Sequence, residues 1–206
     1  MESRQSEQPR AARFADYIEA RRFDPPRPLL MKATELVSRK ERALDAGAGA
    51  LNATKYLLSA GFAHVTALDA APRARDVASE LADGRLKFVL SRFEDFDFPA
   101  SRYDLVNAEF SLPFMNRTAF APTFTRLLSS VKPGGIFTGQ LFGPSDSWNV
   151  ENSGMTFLTR AEAEAFLRDF EVLQVEEEDH PGTTKLGEPK HWHIFHIIAK
   201  KQAGPR

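Results

Sequence analysis

Residues 43–70 read ALDAGAGALNATKYLLSAGFAHVTALDA, and the order of residue types in this stretch decides the fold. Ala43–Ala46 is a short apolar run with one acid, Asp45, suited to a buried parallel strand. Gly47 and Gly49 follow at once, where the chain can turn sharply and a ligand can approach bare backbone. Asn52 is a good N-cap, Thr54 to Ala60 continue as a helix with Leu57 and Leu58 available to a core, and Gly61 stands at the C-cap position. Val65–Asp69 reads as a second strand, with Asp69 at its carboxyl end and Ala70 just beyond. In an open α/β sheet ligands bind at that edge. A carboxylate about 20 residues past a glycine turn can accept hydrogen bonds from a ribose diol. The stretch therefore predicts a nucleoside-bearing ligand. The plain alternative is a buried βαβ unit with no ligand, which would not require an acid at Asp69.

Composition narrows the rest. A chain of 206 residues with 42% hydrophobic residues and 17 phenylalanines can bury a substantial core. We expect a flexible tail over residues 1–12 and one domain over residues 13–206. A formal net charge of -1 gives no global attraction to nucleic acid or to an anionic membrane. No cysteine is present, which removes disulfides, thiolate metal sites and cysteine nucleophiles. No apolar run approaches the roughly 18–20 residues that span a bilayer, and the first dozen residues lack a signal-peptide core. The expectation is a cytoplasmic protein acting on a small molecule, with no nucleic-acid or membrane partner and an unreadable oligomeric state.

Outside the central stretch, Arg13–Arg22 reads as a helix, and Leu29, Ala33, Leu36 and Val37 form a helical stripe running to about Lys40. Tyr17 is a candidate lid residue; the alternative is that its helix simply packs on the sheet. Pro72 opens a helix carrying Ala74, Val77 and Ala78, and Leu86–Leu90 is a third strand. Tyr103–Ala108 is a fourth strand with Asn107 and Ala108 at its carboxyl end. Glu109 is either a base or the partner of a surface arginine, with the surface role favoured. Phe120, Phe124, Leu127, Leu128 and Val131 mark an amphipathic helix, whose regular part should start near Pro122. Lys132–Gly135 is a turn into the strand Ile136–Phe142, followed by a polar insert, residues 143–154, that holds Trp148. Thr159 and Glu162 form a capping box, with Ala163, Phe166, Leu167 and Phe170 on the helix's core face. Val172–Glu178 should be a sixth strand, residues 180–190 a loop, and His191–Lys200 a seventh strand. On that strand His191 and His193 share one face and His196 takes the other. Two histidines on one face suit a metal, internal hydrogen bonding, or proton removal near neutral pH; no third ligand stands nearby, and no metal site is expected.

Asp45-x-Gly47-x-Gly49 with an acid-terminated second strand resembles the class I S-adenosylmethionine-dependent methyltransferases. A dinucleotide fingerprint would want a further glycine, and most members of the methyltransferase class also carry one where this chain has Leu51. The run LLSSVKPGGIF, residues 127–137, resembles the helix, Pro-Gly-Gly turn and fifth strand of the same class. AGAGALN (46–52), NAEFSLPF (107–114) and GEPKHWHIFHIIAK (187–200) look like small bacterial methyltransferases related to the tellurite-resistance group, over roughly Tyr17 to Lys200. The resemblance implies a Rossmann-like α/β fold: a seven-stranded, mostly parallel sheet with an antiparallel last strand and helices on both faces. It implies S-adenosylmethionine as cofactor, admitted by Gly47 and Gly49, with Asp69 and Ala70 at the ribose. Asp45 would orient the glycine loop or reach the methionine amine through water, and Asn107 and Ala108 would meet the methionine end. The loop after the third strand, Phe93 and Glu94, would lie at the adenine, although Arg92 stands where an acid is frequent. Tyr17, Phe114, Trp148, His191 and His193 are candidates for the acceptor side, with Tyr17, His191 and His193 as the possible catalytic residues. The rivals are a nicotinamide-dependent oxidoreductase, and a cofactor-binding or scaffold protein without turnover.

Overall fold

The computed structural model describes residues 10–203. Most of the expected tail lies outside the described residues, and the first helix takes in Arg10 to Ala12. The elements are α1 (Arg10–Arg21), α2 (Pro28–Glu35), β1 (Arg42–Ala46), α3 (Asn52–Ser59), β2 (His64–Asp69), α4 (Pro72–Ser79) and β3 (Leu86–Leu90). They continue with β4 (Tyr103–Ala108), α5 (Arg117–Ser129), β5 (Val131–Phe142), α6 (Arg160–Phe166), β6 (Phe170–Thr183) and β7 (Pro189–Lys201). One seven-stranded sheet runs in the order β3-β2-β1-β4-β5-β7-β6. The first five strands are mutually parallel, and β7 lies antiparallel between β5 and β6. This is the expected α/β topology.

Strand register fixes what each face carries. Asp45 lies beside Asn107, Asn107 beside Thr138, and Gln140 beside His196. Side chains alternate along each strand, so Asp45, Asn107, Thr138, Gln140, His196 and Trp192 share one face. The apolar members of that face, Leu105, Ile136 and Ile198, pack against Leu29 and Leu30 of α2 and Leu57 and Leu58 of α3. Ile18 of α1 packs with Ala74 and Val77 of α4 over Ala67 on the same side. The opposite face, with Phe137, Leu141, Phe195 and Ile197, is covered by α5 and α6.

Several boundaries differ from the sequence reading. α2 stops at Glu35 rather than near Lys40, because the chain must turn into β1. α5 begins at Arg117, where the Asn116 side chain accepts from Ala119 N, and it continues through Pro122. Val131 belongs to β5, and the Lys132–Gly135 turn is an irregularity within the strand, between the pairs Tyr103–Val131 and Leu105–Ile136. Phe170 begins β6 rather than ending a helix, and the β6–β7 hairpin absorbs most of the expected 180–190 loop. The capping box at Thr159 and Glu162 is present in full.

Candidate active site

The glycine turn is built by backbone and one carboxylate. Gly47 N and Ala48 N both donate to Leu68 O, at 2.7 and 3.1 Å. Asp69 accepts from Gly49 N at 2.8 Å and from its own neighbour Ala71 N at 2.7 Å. Asp69 thus ties the turn to the end of β2, with acceptor capacity left over. Gly47 has φ +84°, and a Cβ there would stand 2.2 Å from Ser111 Cβ and 3.5 Å from Phe93 Cζ. Gly49 also has positive φ, but a Cβ there would meet nothing nearer than Gly47 O at 3.9 Å. The turn is walled by Ser111 and Phe93 at its first glycine and open at its second.

Leu51 explains its own departure from the glycine pattern. Its backbone is left-handed, at φ 61° and ψ 20°, the conformation glycine adopts freely, and its side chain is fully buried. The left-handed backbone costs a non-glycine residue about 1–2 kcal/mol. Burying a leucine side chain returns about 1.5–3 kcal/mol. Leu51, not Asn52, occupies the N-cap. Asn52 instead donates from Nδ2 to Arg21 O at 2.7 Å, pinning the end of α1 to the start of α3.

Asp45 is buried on β1, accepting from Thr54 Oγ1 at 2.6 Å and from Asn107 Nδ2 at 3.0 Å. Burial pushes its carboxyl above the ordinary value, against the pull of those two donors. Asp69 is also pushed up by burial, opposed by the Ala71 and Gly49 amides. Asp45, Asn107, Gly49 and Asp69 therefore form adjoining hydrogen-bonded groups at the carboxyl edge, with Ala70 and Ala108 at the ends of β2 and β4. Phe93 reaches the turn. Glu94 faces back toward Arg92, at 3.4 Å, while its backbone carbonyl accepts from Arg126 at 2.8 Å.

The histidine reading changes most. His191 Nε2 lies 2.5 Å from Asp179 Oδ1, and His193 Nε2 3.0 Å from Glu177 Oε1. His193 Nδ1 accepts from Ser145 N at 3.1 Å. Both rings lie on the α5–α6 side of the sheet, bound to β6 carboxylates, away from the face that carries Asp45 and Asn107. The structure thus separates them from the candidate site, contrary to their reading as catalytic candidates. His196, on the other face, reaches it. Its Nδ1 is 3.3 Å from Gln140 Nε2, and Gln140 Oε1 accepts from Phe110 N at 3.1 Å. The alternation that set His196 apart was the available signal; it ranks with Trp192 rather than with its two neighbours.

Glu109 also departs from its reading as a surface residue. It stands just past β4 beneath the N-terminal segment. Burial pushes its carboxyl up to about 7, and Arg27, Arg21 and the Leu30 amide only partly offset this. Tyr17 hydrogen-bonds the Arg27 guanidinium, whose charge also acts on Glu109. Among the described residues, four buried side-chain atoms have no hydrogen-bond partner: Asn107 Oδ1, Glu109 Oε1, Thr138 Oγ1 and His196 Nε2. The last is 3.3 Å from Glu178 Oε1 but out of line for a hydrogen bond. All four belong to this one face and edge. Buried polar groups are normally paired, so their concentration here makes this face and edge the candidate ligand site.

Glu109 makes the stability of the fold depend on pH. Because its folded value of about 7 lies above the ordinary 4.5, the native state holds the proton longer than the unfolded chain does. The stabilisation is full below about pH 4.5 and is lost as pH rises through 7. Glu109→Gln, which does not ionise, is expected to raise Tm at pH 8 and to change it little at pH 5. Thermal melts across that range check it, and a Tm difference independent of pH would refute it.

Comparison with known proteins agrees with this geometry. Residues 43–135 match a family model described as a methyltransferase domain. No curated protein matches the chain significantly. Among solved structures, the chain is similar to the 1,6-didemethyltoxoflavin-N1-methyltransferase of Burkholderia thailandensis, determined with 1,6-didemethyltoxoflavin and S-adenosylhomocysteine. That likeness has 22% identity, a TM-score of 0.67 and coverage of 94% of this chain and 87% of the other. TehB from Haemophilus influenzae gives 16% identity and a TM-score of 0.73, covering 92% of this chain and 67% of that one. An S-adenosylmethionine-dependent methyltransferase from Mesorhizobium loti gives 16% identity and a TM-score of 0.65, over 84% and 96%. Residues 43–135 therefore match a methyltransferase domain, and the strand order of the whole sheet is that of the Rossmann-like methyltransferase fold.

Proposed function

We propose that residues 13–206 act as one domain that methylates a small molecule in the cytoplasm, with the cofactor held across the carboxyl ends of β1, β2 and β4. The carrying observation is the placement of two hydrogen-bonded pairs, Asp45 with Asn107 and Asp69 with Gly49, at the carboxyl ends of neighbouring strands. Bound there, S-adenosylmethionine supplies a methyl group already activated on a sulfonium sulfur. Asp69 keeps acceptor capacity for the ribose hydroxyls, with Ala70 beside it. Asp45 and the unpaired Asn107 Oδ1 are acceptors suited to the methionine ammonium, with Ala108 at the same edge. Gly47 and Gly49 admit the ligand to the backbone, Phe93 offers an apolar ring to the adenine, and Glu94 lies on the same loop. The residues present therefore fit the group. A small-molecule acceptor is supported by the Burkholderia thailandensis enzyme, whose structure holds 1,6-didemethyltoxoflavin. A net charge of -1 gives no general attraction to nucleic acid. No helix among the described residues is long and apolar enough to cross a membrane.

The chain's part in catalysis is approach geometry and exclusion of water. α1 and α2 roof the site from the N-terminal side, where Asn52 fixes the end of α1. The test is calorimetric titration with S-adenosylmethionine and, separately, NADH. Binding of the former alone is expected. Asp69→Ala is expected to weaken it at least tenfold, about 1.4 kcal/mol, since the change removes the ribose acceptor and frees Gly49 N. A folded protein that binds NADH and not S-adenosylmethionine would reject the proposal.

A further inference from the structure

Beyond the cofactor groups, the site holds a second set that binding of the cofactor does not use. The Arg27 guanidinium lies over the Phe110 ring, 4.2 Å from its centroid. Phe110 is edge-on to Trp192 and to His196, each at 6.4 Å, and Trp148 meets Trp192 at 5.6 Å. Flat side chains form one wall. Glu109 Oε1 and Thr138 Oγ1, both buried and without partners, stand beside it, and both can accept hydrogen bonds. An occupant that satisfies them donates hydrogen bonds, and one that packs on the wall is flat.

From this juxtaposition we propose that the methyl acceptor is a flat aromatic or heteroaromatic molecule with an ionisable ring N–H or phenolic O–H, and that Glu109 takes its proton. The inference rests on the methyl-transfer reading above. In the step, the acceptor's nitrogen or oxygen loses its proton to the Glu109 carboxylate and uses the freed pair to bond the methyl carbon. The carbon–sulfur bond breaks with its pair left on sulfur, giving S-adenosylhomocysteine, and Glu109 later releases the proton to solvent. The groups acting on Glu109 are Arg21 of α1, Arg27 of the following turn, the Leu30 amide of α2 and Asp45 of β1, with Tyr17 hydrogen-bonded to Arg27. Arg27 offsets negative charge on the ionising acceptor. A carboxylate that titrates near 7 is basic enough to take the proton yet still ionised at neutral pH.

The experiment uses phenol and benzimidazole as ring probes, with hexanethiol and hexanoate as non-ring probes. Binding to the full chain is measured by calorimetry in two buffers of different ionisation enthalpy, and S-adenosylhomocysteine formation is measured alongside. The ring probes are expected to bind, to exchange a proton and to be methylated in preference to the others. Glu109→Gln is expected to bind S-adenosylmethionine normally, to lose the proton exchange, and to turn over about a hundredfold more slowly or worse, without the rise in rate near pH 7. Preference for hexanethiol or hexanoate overturns the inference. So does failure of both ring probes on a protein that binds S-adenosylmethionine, or an unchanged pH profile in Glu109→Gln. Failure to bind S-adenosylmethionine overturns the parent reading as well, and is read separately.

Discussion

Gly47→Ala is expected to destabilise the protein by about 2–5 kcal/mol, summing the left-handed backbone cost with overpacking. At φ +84° alanine is strained whatever the space, and its Cβ would lie 2.2 Å from Ser111 Cβ and 2.8 Å from Ser111 Oγ. Ser111 cannot simply rotate away, because its hydroxyl donates to Ala46 O at 2.7 Å. Relief requires the segment after β4 to move, and that segment carries Glu109 and Phe110. Binding of S-adenosylmethionine should therefore fall with stability. Urea denaturation of Gly47→Ala, Ser111→Gly and the double variant separates the terms. Ser111→Gly alone gives up a hydrogen bond worth about 1 kcal/mol. The double variant should cost less than the sum of the singles, because the collision is gone. A single variant within about 0.5 kcal/mol of wild type, or strictly additive costs, would show that the contact has no steric consequence.

The second large effect lies in the insert before α6. Lys190 and Asp146 form an ion pair with both side chains fully buried. The Lys190 ammonium sits 3.9 Å from the Trp148 ring centroid and 4.3 Å from that of Trp192. Asp146 Oδ1 also accepts from Trp148 N at 3.0 Å. Burial lowers the Lys190 pKa, and Asp146 holds it up. Asp146→Ala strands a buried ammonium and should cost about 3–5 kcal/mol. Because both tryptophans pack on that ammonium, their fluorescence should shift to the red as the insert loosens. Replacing the pair together, Asp146→Leu with Lys190→Met, should recover most of the loss, since a buried pair is close to neutral against an apolar substitute. A single variant as stable as wild type, with unchanged fluorescence, would mean the pair does not anchor the insert.

The parallel half of the sheet was legible because its signals are local. The Gly47–Gly49 turn, the apolar strands around it and the acid at Asp69 lie within 28 residues, and the structure keeps their order, with each strand starting one residue earlier than read. Helix ends were less legible. Asn52 is a good cap in isolation, yet Arg21 O, 31 positions earlier, claims its side chain. Pro122 discourages helix locally, but Phe120, Phe124 and Leu127 bury against the sheet and carry α5 through it. The acceptor side was hardest, because it is made of long-range neighbours. Nothing near Glu109 in sequence indicates that Arg27 and Leu30 will cover it. For the histidines, alternation gave the faces correctly; which face meets the site depended on where α1 and α2 cross the sheet.

The placement of β7 has a consequence for how the molecule is made. Among the described residues, β6 pairs with β7 and with no other strand, while β7 joins it to β5. A ribosome delivers Phe170–Thr183 before Pro189–Lys201, so β6 emerges with no edge to dock on. The β4–β5 half can assemble during synthesis, but the sheet closes only when its last strand slots into the middle. Acquisition of the folded state thus waits for β7 to be made, and a stalled chain lacking residues 189–201 would present the edges of β5 and β6 to its neighbours.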